Sequence, residues 1–203
     1  DVACGSGFMS QVLLQRFPQA QSTGVDIDVF MLAMARGAQA RLGKRFTARL
    51  ADLRRPDWAS GLADGSFDLV VSATALHWLT QDDLARVYPT FFRLLAPGGT
   101  FLNIDPLRPA TPLIQQRMQA VTDRVWGDAL PLETWESYWA SIGRELGIGP
   151  LLAEYHKRIG LVGGCDEGYT REFHLGALRD AGFSNADVFW QLGGEAVYGG
   201  IKG

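Results

Sequence analysis

Gly5 and Gly7, with Asp26 nineteen residues beyond the second, are the residues whose types and spacing point most directly to chemistry. Without a Cβ, glycine lets the chain turn sharply after a strand and lets a ligand approach main-chain N–H groups. An acid about 20 positions further on can accept both vicinal hydroxyls of a ribose, with charge-assisted bonds that a neutral side chain cannot match. The spacing therefore implies a nucleoside cofactor. A dinucleotide fingerprint requires glycine or alanine three residues after the second glycine, and Ser10 stands there instead, so a pyrophosphate is not the indicated ligand. His77, in Leu76-His77-Trp78, has a side chain whose ordinary titration near neutrality suits a general base, although a histidine that merely holds its loop fits the same position. Cys4 and Cys165 form no ligand pattern, so neither a zinc site nor a disulfide framework is expected.

The elements that must position these residues alternate. A helix from Ser6 to about Phe17 follows the glycine turn, and Ser22–Val25 is a short strand ending at Asp26. Asp28 is placed to cap a helix whose Met31, Met34, Ala35 and Ala38 share one face, with Gly43 past its end. Strands are expected at Phe46–Leu50 and Phe67–Ala73. A capping box at Thr80-Gln81-Asp82-Asp83 opens a helix through Leu95, with Pro89 expected to kink it. Ala96-Pro97-Gly98-Gly99 turns the chain into a strand at Thr100–Ile104. Helical crossovers of this length argue for a parallel sheet covered on both faces. Between Pro106 and Gly168 aromatic-rich helical pieces carrying Trp126, Trp135, Tyr138, Trp139 and Tyr155 replace the alternation and read as a cap. Thr170 caps a last helix to Ala181, and Ser184–Leu192 and Ala196–Ile201 make an antiparallel hairpin around Gly193-Gly194.

Asp1, Cys4, Gly5 and Gly7 match the acidic-x-x-Cys/Gly-Gly-x-Gly motif at the end of the first strand in class I S-adenosylmethionine-dependent methyltransferases, and the closing antiparallel pair matches the end of their sheet. The chain thus resembles that family over nearly its whole length, closest to the small-molecule branches of the trans-aconitate and ubiquinone-biosynthesis type that share the Leu-His-Trp segment. The resemblance implies an α/β, doubly wound, seven-stranded, mostly parallel sheet with an antiparallel last strand and a helical cap. The first strand is largely missing from the sequence given, which reads as an incomplete N-terminus. The cofactor-binding domain would be residues 1–105 and 170–203, and the cap 106–169. By the same resemblance S-adenosylmethionine is the cofactor, held by Asp1, Ala3, Cys4, Gly5 and Gly7, by Asp26 at the ribose, by Asp52 at the adenine amino group, and by Ile27 and Leu53 on the ring faces. Ser72 and Ala73 would border the methionine portion. His77 is the candidate catalytic residue for methyl transfer to a small organic acceptor.

An Asp in a turn, such as Asp52, also serves local Asx bonding. The cap aromatics suit either an acceptor chamber or a small core of their own, and Arg108, Arg117, Arg124 and Arg158 receive no role. A net charge of -3 with mixed signs gives no basic stripe for nucleic acid. No apolar run reaches the roughly 20 residues that a membrane span needs. The two distant cysteines fit a reducing, cytoplasmic setting, and oligomeric state is not legible. A nicotinamide-dependent oxidoreductase, a non-catalytic S-adenosylmethionine-binding domain, and a relative using the same cofactor for other chemistry are the alternatives.

Overall fold

The computed structural model describes residues 1–127, 134–160 and 168–203, without the side chains of Trp126, Trp135 and Arg158. Cys165 lies outside the described residues. Among the described residues seven strands fall in two sheets. β1 (Ser22–Asp26) and β2 (Phe46–Leu50) pair in parallel. β3 (Phe67–Ala73), β4 (Leu95–Arg108), β7 (Glu195–Ile201) and β6 (Asn185–Leu192) lie side by side in that order, and β5 (Tyr169–Thr170) pairs with the far end of β4. The β3–β4 pair is parallel, while β7 runs antiparallel to both neighbours.

A single seven-stranded sheet is therefore not what forms, and residues 1–4 supply the physical reason. Val2 makes one parallel bridge to Val25, its N–H donates to the Val71 carbonyl at 2.8 Å, and the Val25 N–H donates to the Asp1 carbonyl at 2.8 Å. This segment sits between β1 and β3 with too few ladder bonds to make a strand.

Helix α1 (Phe8–Arg16) follows the glycine turn and buries Ser10 and Leu14. Helix α2 (Val29–Ala38) is capped by Asp28, whose carboxylate accepts from the N–H groups of Phe30 and Met31. Its buried face is Leu32 and Ala35, not the anticipated stripe, because Ala38 points to solvent. Leu14, Ala35 and Phe46 make a small core between α1, α2 and β2. Helix α3 (Gln81–Leu94) has the expected capping box, and Leu84, Val87, Tyr88 and Phe91 build the main core from its inner face; Pro89 lies inside the continuous helix. The rings of Phe91 and Phe101 pack 4.9 Å apart.

β4 is longer than the anticipated Thr100–Ile104. Its register shifts between the Phe67↔Leu95 and Leu69↔Thr100 pairs, so the Ala96–Gly99 turn is a bulge within the strand. A Cβ on Gly99 would lie 2.8 Å from the Ala96 carbonyl oxygen, which only glycine avoids. After β4 come helices α4 (Pro112–Trp126), α5 (Trp135–Leu146) and α6 (Gly149–Ile159), before Thr170 caps α7 (Arg171–Asp180). No described helix is long and apolar enough to cross a membrane.

Candidate active site

The glycine turn meets the end of β1 through one carboxylate. Asp26 is buried, and its oxygens accept from the Gly5 N–H and the Asp28 N–H, each at 2.8 Å. Burial raises its carboxyl above the ordinary value of 3.8, and backbone donors, Asp28 and Gly5 foremost, oppose that rise. A carboxylate offers about four lone-pair positions, more than these backbone donors fill. Gly5 has a φ of 51°, and a Cβ placed on it would meet nothing within 4 Å, so its backbone borders open space. Gly7 differs. Its φ is 78°, and a Cβ there would press on Phe46 at 3.2 Å, so its bareness also serves packing of the turn on β2. Ala3 shares the left-handed conformation without being glycine, with a φ of 51°.

Three anticipated site residues are engaged within the protein. The Asp1 carboxylate accepts from the N–H and hydroxyl of Ser10 at 2.9 and 2.7 Å, turning into α1. Ser10 thereby earns its place where a dinucleotide fingerprint would have glycine, since it is fully buried and also bonds Ser22 at 2.8 Å. The Ser72 hydroxyl is fully buried and donates to the Val2 carbonyl at 2.8 Å, so it fastens β3 to the first turn. Cys4 is buried; burial foremost, and the nearby Asp26 charge next, push its thiol up to about 12.

Asp52 is gripped by Arg54, whose Nε and Nη2 donate to its two oxygens at 2.8 and 2.9 Å. The same guanidinium donates to the carbonyls of Ile159 and Gly160 at the end of α6, at 2.6 and 3.3 Å. Two further contacts bring α6 to this edge. The Tyr155 hydroxyl donates to the Ile27 carbonyl and accepts from the Val29 N–H, and His156 Nε2 meets Asp28 at 2.9 Å. Tyr155 and Trp139 also meet the Phe30 ring edge-on, and the Tyr138 hydroxyl reaches Met34. Tyr138, Trp139 and Tyr155 thus gather over α2. Leu53 leans on the main core.

Past β3, Ala73 is followed by Thr74 in a left-handed conformation, and Leu76–Trp78 form a short 3-10 helix. Asp105 faces it from β4. Its oxygens accept the His77 N–H at 3.0 Å, His77 Nδ1–H at 2.7 Å and Asn103 Nδ2–H at 3.3 Å. A carboxylate only accepts, which fixes a ring proton on Nδ1. Behind Asp105 a buried string continues: Asn103 donates to the Tyr198 hydroxyl at 2.7 Å, and His174 is held between Tyr198 at 3.0 Å and Tyr88 at 2.7 Å. Burial pushes His174 down to about 3, so its imidazole is neutral. Half-buried Glu195 begins β7 beside this group; burial first and the Asp105 charge second raise its carboxyl, and His77 opposes them.

Asp105, Asn103, Arg54 and His174 escaped the sequence reading. Asp105 carried a usable signal, since it is the first residue past the anticipated strand Thr100–Ile104 and ligand sites gather at such strand ends. Among the described residues no group of three or more His, Cys, Asp or Glu side chains is placed to hold a metal ion.

Residues 1–99 match the family model described as a methyltransferase domain. The trans-aconitate 2-methyltransferase of Acidovorax sp. (strain JS42) is 35% identical over 131 residues, covering 64% of this chain and 46% of that protein. Over its first half the chain is thus similar to methyltransferases. A malonyl-[acyl-carrier protein] O-methyltransferase of Geobacter sulfurreducens is 38% identical over 101 residues, covering 50% of this chain and 35% of that protein. The solved human N-acetylserotonin methyltransferase in complex with SAM shares the fold, with a TM-score of 0.59, 17% identity, and coverage of 100% of this chain and 46% of that one. The chain spans about half the length of the curated trans-aconitate methyltransferases of Acidovorax and Delftia that it matches.

Proposed function

We propose that the chain transfers a methyl group from S-adenosylmethionine to a small organic acceptor. The observation that carries this is the Asp26 carboxylate bonded to the Gly5 N–H beside a glycine turn that faces open space. The residues present fit the group: Asp26 keeps acceptor positions for ribose hydroxyls, and Gly5 admits close backbone approach. Ile27 would meet the adenine ring, the Leu53 backbone would meet its edge, and Asp52 would take its amino group by sharing oxygens that Arg54 now holds. Ala3, Cys4 and the Ser72–Ala73 backbone would line the methionine end. Asp1 and Gly7 act indirectly here, shaping the turn rather than touching the ligand.

When bound, S-adenosylmethionine supplies a methyl group already activated by a sulfonium. The chain's work is then to bind, orient the acceptor and exclude water. His77 is the general base of this reading: Asp105 fixes its Nδ1–H, and Nε2 is left to accept a proton from the acceptor. Residues 1–105 and 170–203 would form the cofactor domain, with 106–169 as a helical cap that closes one edge through α6. A thermal-shift comparison tests the assignment. S-adenosylhomocysteine at a hundredfold excess over its Kd should stabilise the chain by about 2.7 kcal/mol, and NAD should not. Stabilisation by NAD alone would replace this reading with an oxidoreductase.

A further inference from the structure

We infer that Arg54 is a positioning residue: it aims the Asp52 carboxylate at the adenine amino group and, with the same guanidinium, couples cofactor binding to closure of α6. The inference rests on the methyl-transfer reading above, in which Asp52 faces adenine. Asp52 Oδ1 accepts from the Arg54 backbone N–H at 3.0 Å and from its Nε at 2.8 Å, whereas among the described residues Oδ2 accepts from Nη2 alone, at 2.9 Å. An oxygen with about two lone pairs then keeps one for an amino donor. Burial pushes the Asp52 carboxyl up, but the Arg54 hydrogen bonds outweigh it and hold the group below its ordinary value of 3.8, so the acceptor stays ionised.

The other side of the guanidinium holds the cap. Nη2 and Nη1 donate to the Ile159 and Gly160 carbonyls at 2.6 and 3.3 Å, so a cation meets the negative end of the α6 dipole. A Cβ on Gly160 would press on Nη1 at 3.1 Å, so a bare residue there lets the guanidinium come this close. Tyr155 and His156 meanwhile bind the residues just after Asp26, so one helix grips both strand ends whose acids serve adenosine in this reading. Apolar burial on α6 is small: Leu152 is its one buried residue among those described, and an element held mainly by polar contacts opens at low cost. A long arginine side chain loses rotamer freedom when it is fixed, so each partner that fixes the guanidinium lowers the cost of the next. Adenine on Asp52 therefore favours α6 closed, and α6 closed favours adenine by the same factor.

The test compares S-adenosylhomocysteine with S-inosylhomocysteine, which carries an oxo group in place of the amino group, on the full chain and on its Arg54→Ala variant. In the parent, saturating S-adenosylhomocysteine should slow amide exchange in residues 149–159 about fivefold, the lower end of ordinary coupling, and S-inosylhomocysteine should slow it less. Calorimetry should show the parent preferring S-adenosylhomocysteine, with Arg54→Ala shrinking that preference about fivefold. A merely structural arginine would weaken both ligands alike. Exchange in β3 and β4 reports whether the variant is folded, and the response of α6 in the parent is a test that needs no variant. Unchanged α6 exchange on binding, equal affinity of the parent for the two ligands, or equal loss of both in a folded variant overturns the inference while cofactor binding through Asp26 stands. Failure of the parent to bind S-adenosylhomocysteine overturns both.

Discussion

At Asp26, burial and hydrogen bonding pull in opposite directions. Burial raises the carboxyl above 3.8, so the free folded chain holds a proton over a pH interval in which the unfolded chain has already lost it. By linkage, the ionised carboxylate lowers stability as pH rises through that raised value. Ribose hydroxyls require the ionised form as acceptor, so cofactor affinity moves the other way. Calorimetric affinity for S-adenosylhomocysteine should fall on acidification with a midpoint above 3.8, and a profile flat to below that value contradicts the assignment. Type and spacing alone mark Asp26 and His77 as candidates in the sequence. Asp105 and Arg54 are not so marked, because their roles arise only when the folded chain sets β4 against the 3-10 helix and α6 against the β2 edge. Likewise, that the Ser72 hydroxyl donates to the Val2 carbonyl is a contact its motif does not disclose.

Among elements, those whose ends are set by local chemistry were readable. Asp28, Thr80 and Thr170 each cap the helix they announce, and β2 and β3 span the residues that their apolar runs mark. What tertiary contacts decide was not readable: the buried face of α2 is set by Phe46 and Leu14, and the length of β4 by its bulged register with β3. The union of α3, α7 and β7 through His174 gives an element-level prediction. Its imidazole stays neutral to about 3 in the folded chain, while the unfolded chain takes up a proton near 6.5. The unfolded state thus binds more protons between these values, so stability falls as pH drops from about 6.5 towards 3, by several kcal/mol in all. Urea midpoints measured at pH 7 and pH 5 should show the decline starting, and Tyr198→Phe should lower the unfolding free energy at both by roughly 1–3 kcal/mol by leaving buried polar atoms unpaired. Equal midpoints at the two pH values contradict this account of the string.

For the whole molecule, the connection between the sheet edge and α6 is the arrangement that composition and periodicity could not disclose. One guanidinium joins Asp52 to the last carbonyls of that helix, while Tyr155 and His156 reach Ile27, Val29 and Asp28. Arg54→Ala should release the helix end, and amide exchange in residues 149–159 should quicken about fivefold, corresponding to about 1 kcal/mol, with β3 and β4 unchanged. Exchange unaltered in α6 would show that the other contacts suffice.

The overall account stands on the assignment of Asp26 and the glycine turn to the cofactor, and titration calorimetry of S-adenosylhomocysteine into the chain and its Asp26→Ala variant tests that assignment most directly. Saturable binding weakened in the variant by about 1.5–3 kcal/mol, the range for hydrogen bonds to a charged group, is the predicted result. Equal affinity in both proteins, or no binding to the parent chain, would contradict it.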